Sequence, residues 1–208
     1  METLLSSRMK IEMDGSSVLL ALSVGLGLSA ACGFRIFLPP AALSFAAVQG
    51  WVELTGDFAY LDSWTACGIL SAAVILEVLA YLIPWLDNLL DTIATPSAVI
   101  AGTVMSAAVM GDVDPALKWT LATIAGGGSS GTIQMGTVAT RALSTGTTGG
   151  LANPIVSIVE FFASIFMTIL ALFAPILAVL LFAVIIFYAV KFLVKWQSKK
   201  STPNATTQ

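Results

Sequence analysis

Four ionisable side chains stand where water is scarce. Arg35, Glu77, Arg141 and Glu160 each lie inside or at the edge of a long apolar stretch. A charge at the centre of a membrane helix costs roughly 2.5–3.5 kcal/mol on insertion scales, so it normally faces a partner or water. These residue types offer two kinds of chemistry. A guanidinium can hold an anion, and a carboxylate can carry a proton. The same residues can instead pair with one another and lock helices in register. Arg35, close to a helix end, can also snorkel to the surface.

A second pattern sits beside one of these charges. Arg141 leads into Ser144-Thr145-Gly146-Thr147-Thr148-Gly149-Gly150-Leu151-Ala152-Asn153-Pro154, an uncharged Ser/Thr/Gly stretch that reads as a loop. Asn153 suits a helix N-cap and Pro154 the first helical turn. The free N–H groups of such a turn can bind an anion, and glycine lets a ligand approach the backbone. An ordinary capped surface turn has the same composition. The expected substrate-binding set is therefore Arg141, Glu160, Glu77, Arg35, Thr147, Thr148, Gly149, Gly150 and Asn153.

Other chemistry is thinly represented. The chain has no His, which removes the commonest general base and transition-metal ligand. Cys32 and Cys67 lie in apolar runs, where Cys acts as a small hydrophobe. No base stands beside a Ser or Thr nucleophile, and Gly126–Gly131 lacks the Lys of a phosphate loop. Gly127 and Gly131, like Gly25 and Gly27, have the small-residue spacing of touching helices. Asp87 and Asp91 read as the wet face of a short amphipathic segment rather than a cation site. Neither enzymatic activity, a metal nor a cofactor is expected.

The elements that position these residues must be membrane helices. Of 208 residues, 57% are hydrophobic and 10% charged, with a mean hydropathy of +0.94. A chain this short cannot hide that much apolar surface from water. Nine Lys and Arg against twelve Asp and Glu leave no basic face for nucleic acid. The expected fold is an all-α integral membrane protein of about six transmembrane helices. Apolar runs place these at 18–38, 64–83, 96–110, 116–141, 154–173 and from Pro175 to near Trp196, and for 18–50 two arrangements stay open, one crossing plus an interfacial helix or a re-entrant hairpin. The amphipathic segment around Leu86–Ile93 is expected to lie in the interface. Residues 1–17 form a cytoplasmic segment, 18–196 a single membrane domain, and 197–208 a disordered cytoplasmic tail.

Charge orients the bundle. Lys191, Lys195, Lys199 and Lys200 put the C-terminus in the cytoplasm, and six crossings return the N-terminus there. The loops with Glu53, Asp57 and Asp62, and with Asp112 and Asp114, fall outside. Glu77, Arg141 and Glu160 then share one depth as a cluster, with Arg35 apart near the outer surface. Each half, 18–111 and 115–196, has a Gly/Ser-rich segment ending in Arg, a Pro break and a helix with one Glu. That suggests a three-plus-three inverted repeat, although strict inversion would separate Glu77 from Glu160 in depth.

Gly33-Phe34-Arg35-Ile36-Phe37-Leu38-Pro39, and Thr147-Thr148-Gly149-Gly150-Leu151-Ala152-Asn153-Pro154 followed by Glu160, resemble an uncharacterised bacterial multi-pass membrane family catalogued as a domain of unknown function. The likeness spans roughly 18–195. That family's pattern often has a second acidic residue after the Glu, where this chain has Phe161. The resemblance implies a compact protein of the bacterial cytoplasmic (inner) membrane and brings no activity. A looser similarity, in the pairing of Arg with Pro/Gly breaks, is to DedA-type lipid-carrier transporters. The leading expectation is a small transporter or channel for an anionic or lipid-phosphate solute. The alternative is a non-transporting scaffold with structural ion pairs. Expected partners are the lipid bilayer, a small anion or lipid headgroup, and further copies in a homo-oligomer.

Overall fold

The computed structural model describes residues 15–54, 56–111 and 113–200; the extreme N-terminal segment, Thr55, Asp112 and the tail from Ser201 lie outside them. All regular structure among the described residues is helical. In chain order the elements are α1 (Gly15–Cys32), α2 (Leu38–Val48), a 3-10 turn (Gly56–Leu61), α3 (Trp64–Tyr81), α4 (Pro84–Ala108), α5 (Pro115–Leu121), a π-helical turn (Ala122–Gly127), α6 (Gly128–Thr148), α7 (Asn153–Phe173) and α8 (Pro175–Lys200). The protein is a membrane protein. Trp64–Tyr81, Leu89–Ala108 and Asn153–Phe173 are long and apolar enough to cross a bilayer. Shorter apolar stretches are Leu19–Cys32, Leu38–Val48 and Pro175–Lys191.

Of the two arrangements open for 18–50, the structure takes the hairpin, and the run 18–38 is not one continuous helix. Helix α1 stops at Cys32, and Gly33–Phe37 form an irregular break before α2. Contacts show where the chain goes next. Gly25 packs on Ser106, and the Ser29 hydroxyl donates to the Gly102 carbonyl, so α1 runs antiparallel to α4. The Ser44 hydroxyl donates to the Leu61 carbonyl, and Phe45 stacks edge-on against Trp64, so α2 runs antiparallel to α3. Since α3 and α4 are themselves joined by the tight turn at 82–83, α1 and α2 fold into a re-entrant hairpin. Helix α2 has 11 residues, about 16 Å at 1.5 Å per residue, too short to span. Helices α3, α4, the α5–α6 rod, α7 and α8 each pass along the bundle. Gly15 therefore lies on the face that carries the 3-10 turn, and the end of α8 on the other. The halves do not each contain three passes, so the expected three-plus-three inverted repeat is not the architecture, and Gly15 and Lys200 do not share one face.

Two further boundaries differ. The interfacial segment and the expected third crossing form one continuous helix, α4, with Pro96 inside it. Pro96 and Thr92, whose carbonyl loses its helical donor to the proline, both lie at exposed positions of α4. The expected loop at 144–153 is mostly helix. Helix α6 runs to Thr148, and only Gly149–Ala152 turn, with Gly149 in the left-handed conformation (φ 65°) that closes a helix without steric cost.

The core is a crossing of small residues. The π turn Ala122–Gly127 passes α4 so closely that a Cβ on Gly126 would lie 2.6 Å from Ser106 Cβ and 2.7 Å from the Gly102 carbonyl. Gly127 and Gly131 read correctly as packing residues: a Cβ on Gly127 would meet Thr103 Oγ1 at 2.6 Å, and one on Gly131 would meet Val99 at 2.9 Å. Gly127→Leu is therefore expected to destabilise the fold by about 1–3 kcal/mol or more. Thermal unfolding in detergent should show a lower midpoint than wild type, and an unchanged midpoint would mean the contact yields.

Candidate functional site

The site is built around the break at the tip of the re-entrant hairpin. Arg35, in the break, is 1% exposed. Its Nη2 donates to the Ser157 carbonyl (2.6 Å) and to the Ser157 hydroxyl on α7, and lies 3.9 Å from Glu160 Oε2. Nε and Nη1 of the same guanidinium are buried and have no hydrogen-bond partner. The expectation that Arg35 stands apart near the outer surface is corrected. The α1–α2 hairpin carries it into the interior, where it joins the other charges.

Arg141, 2% exposed, is engaged on all three nitrogens. It forks onto Glu160, with Nε at 3.3 Å from Oε1 and Nη2 bonded to Oε2, while Nη1 donates to Asp91 Oδ1 at 3.1 Å. This pairing ties α6, α7 and α4 together. Tyr81 supplies a shared wall: its ring centroid lies 3.9 Å from the Arg141 guanidinium carbon and 4.5 Å from that of Arg35. Such stacking contributes about 2 kcal/mol when desolvated.

Glu77, half-buried on α3, faces the hairpin tip rather than either arginine's fork. The Ile36 N–H donates to its Oε1 at 2.8 Å and the Phe37 N–H to its Oε2 at 3.2 Å. These donors are the N-cap of α2 and the residue before it, at the helix N-terminus where a negative charge is favoured. Of the expected cluster, Arg141 and Glu160 bond directly, together with Asp91, whereas Glu77 bonds the backbone of the break and stands one turn from Tyr81, the ring that both arginines face.

The Ser144–Pro154 set does not converge on it. Thr147 and Thr148 are exposed in the last turn of α6, where their hydroxyls bond the carbonyls of Leu143 and Ser144 one turn back. Gly149 and Gly150 make the turn, both at positive φ. Asn153 is not an N-cap: Ala152 holds that position without a side-chain bond, and the buried Asn153 amide donates to Thr145 Oγ1 at 3.0 Å. A turn shortened to Gly149–Ala152 leaves no open nest of N–H groups for an anion.

Sequence reasoning missed Tyr81, Asp91 and Ser157. Tyr81 lies one helical turn after Glu77 on the same face, and that spacing was a usable signal. Asp91 read as solvated because its partner lies 50 residues away. Ser157 carried no signal, since a Ser in an apolar helix is commonplace.

Apolar cavities flank the site. One of about 400 Å³ lies between α3 and α4 and is lined by Glu77, Tyr81, Ile36, Phe37 and Ser97. A second, of about 430 Å³, lies among α6, α7 and α8 and reaches Glu160, Phe34 and Thr137. The break Phe34–Phe37 separates them.

Residues 22–195 match the family model described as a domain of unknown function (DUF4126), and the chain belongs to that family. No curated protein and no solved structure matches it.

Proposed function

From membership in a family whose activity is undefined, and from a site that leaves one arginine underused, we propose a small proton-linked membrane transporter for an anionic solute. Arg35, rather than Arg141, meets the anion. The observation that carries this reading is the wholly buried Arg35 guanidinium with Nε and Nη1 unpartnered. Leaving a buried donor unsatisfied costs about 1–3 kcal/mol, more for a charged group, and a ligand would recover it. Irregular backbone at membrane depth survives where it is buried in protein or lines a cavity, and broken helices whose ends face charged groups are a transporter's device. The cluster also holds three carboxylates (Glu77, Asp91, Glu160) against two guanidiniums. With all ionised it carries excess negative charge, so in a low dielectric an anion enters more easily together with a proton.

A second reading has its own support. Arg141 is fully occupied by Glu160 and Asp91, as a structural ion pair would be, which suits a scaffold. Proteoliposome flux with labelled anions under an imposed pH gradient separates the two. Uptake should rise with the proton gradient. A folded protein that moves no anion leaves the scaffold.

In this reading the protein has no catalytic role and sits in the bacterial inner membrane. The lysines at the end of α8 face the cytoplasm, and Gly15 lies outside with the acidic 3-10 turn. An impermeant thiol reagent should then label Gly15→Cys and Asp57→Cys from outside, and Thr148→Cys only after permeabilisation. Outside labelling of Thr148→Cys would reverse the orientation.

A further inference from the structure

Resting on the anion-transport reading, we propose that the substrate is a single-chain monocarboxylate amphiphile of the fatty-acid type. Its carboxylate takes the place of the Glu77 carboxylate, and its chain lies in the crevice between α3 and α4.

The headgroup site is already shaped by a carboxylate. One oxygen of Glu77 accepts from Ile36 N–H and the other from Phe37 N–H. Arg35, the residue before these donors, stacks on Tyr81 one turn from Glu77 and holds Nε and Nη1 unpartnered in the interior. A carboxylate is planar with two oxygens, and this cradle offers two adjacent N–H donors, with the Arg35 guanidinium stacked on Tyr81, a residue that lines the same cavity. A phosphate monoester brings a third oxygen and up to a second charge, whereas the donor pair now held by Glu77 is matched to two oxygens and one charge.

The chain site is the crevice. The 400 Å³ cavity at Glu77 abuts another of about 510 Å³ that runs toward Tyr60 and Leu61, and the two share Ile36, Phe37 and Ser97. Each lies within the usual size of a ligand pocket. The rims are exposed apolar side chains, among them Ile69, Leu76, Ile93 and Ile100, which face lipid in a bilayer. An amphiphile can therefore enter sideways from the membrane with its tail never crossing water.

Exchange is electroneutral. A proton from water binds the Glu77 carboxylate, which releases the Ile36 and Phe37 N–H groups, and the substrate carboxylate accepts them in its place. The groups around Glu77 are Arg35 from the break, Tyr81 on α3, Asp91 on α4, Arg141 on α6, Glu160 on α7 and the buried Cys32 thiol ending α1. Arg141 is committed to Asp91 and Glu160, so Glu77 is the carboxylate free to take the proton.

The test uses the full chain in phosphatidylcholine nanodiscs with a fluorescent fatty acid as probe. Saturable binding is expected, displaced by palmitate, about tenfold less well by hexadecyl phosphate, and not by palmitate methyl ester. Binding should take up about one proton per probe in weak buffer. Glu77→Gln should abolish the proton uptake that accompanies probe binding, and uptake that survives would overturn the exchange. Ala73→Phe, or Ser97→Phe should the first fail to fold, fills the crevice and should lose about tenfold in affinity with an unchanged melting midpoint. Equal displacement by the ester, tighter binding of the phosphate, or unchanged affinity in a folded crevice-filled variant would overturn the proposal. A protein that moves short-chain anions yet binds no fatty carboxylate defeats the amphiphile and leaves anion transport standing. One that binds palmitate and moves no anion defeats transport and keeps the site.

Discussion

Arg141→Gln should be among the most damaging single substitutions in the chain. It removes the fork that holds Glu160, 5% exposed, and the bond to Asp91. Breaking a buried pair by deleting one partner costs about 3–5 kcal/mol, because the remaining charge stays buried without compensation. Glu160 keeps only the more distant Arg35, 3.9 Å away, and Asp91 is half-buried with some access to water. The expected loss is therefore at the lower end, about 3 kcal/mol. Thermal unfolding in detergent reads it directly. Arg141→Gln/Glu160→Gln should recover much of the loss, since both charges go together. An Arg141→Gln protein that melts like wild type would show that the pairing is dispensable and would move the anion-binding role back to Arg141.

Arg35→Gln should have the opposite profile. Its guanidinium makes bonds only through Nη2, to Ser157, and has buried N–H groups without partners, so removal relieves as well as removes. Stability should change by about 1 kcal/mol. Anion flux should fall about a hundredfold, the equivalent of one or two charge-assisted hydrogen bonds to the ligand. Arg35→Lys keeps the charge without the planar fork and should retain an intermediate rate. Flux that survives Arg35→Gln would take Arg35 out of the binding site. Together the two arginine variants separate the roles: one loses fold, the other loses transport.

Much of the site was legible in the residue types. Charges in apolar runs are expensive, so Arg35, Glu77, Arg141 and Glu160 had to be satisfied by something; the structure pairs Arg141 with Glu160 and gives Glu77 backbone donors and Arg35 the acceptors of Ser157. The class of protein followed from composition alone, because no packing of so short a chain hides such an apolar surface from water. The Gly127 and Gly131 spacing specified a helix contact, since only small residues allow backbones so close.

What only the tertiary structure decided was direction and division of labour. An apolar run from 18 to 38 has the hydropathy of a crossing whether the chain goes through or turns back. The turn at Gly33–Phe37 is stable because Glu77 and Ser157, distant in sequence, receive the groups the break exposes. That single reversal moves Arg35 from the surface to the interior. Likewise nothing local distinguishes Arg35 from Arg141. Arg141 is saturated because α4 and α7 bring Asp91 and Glu160 to it, and Arg35 is not because Ser157 takes hydrogen bonds from one of its nitrogens while Glu160 stays 3.9 Å from that same nitrogen. Hydrophobic burial and the cost of a membrane charge act on each residue where it stands, so sequence determined which side chains needed partners. Pairing acts between residues dozens of positions apart, so only the packed bundle determined which of them found enough.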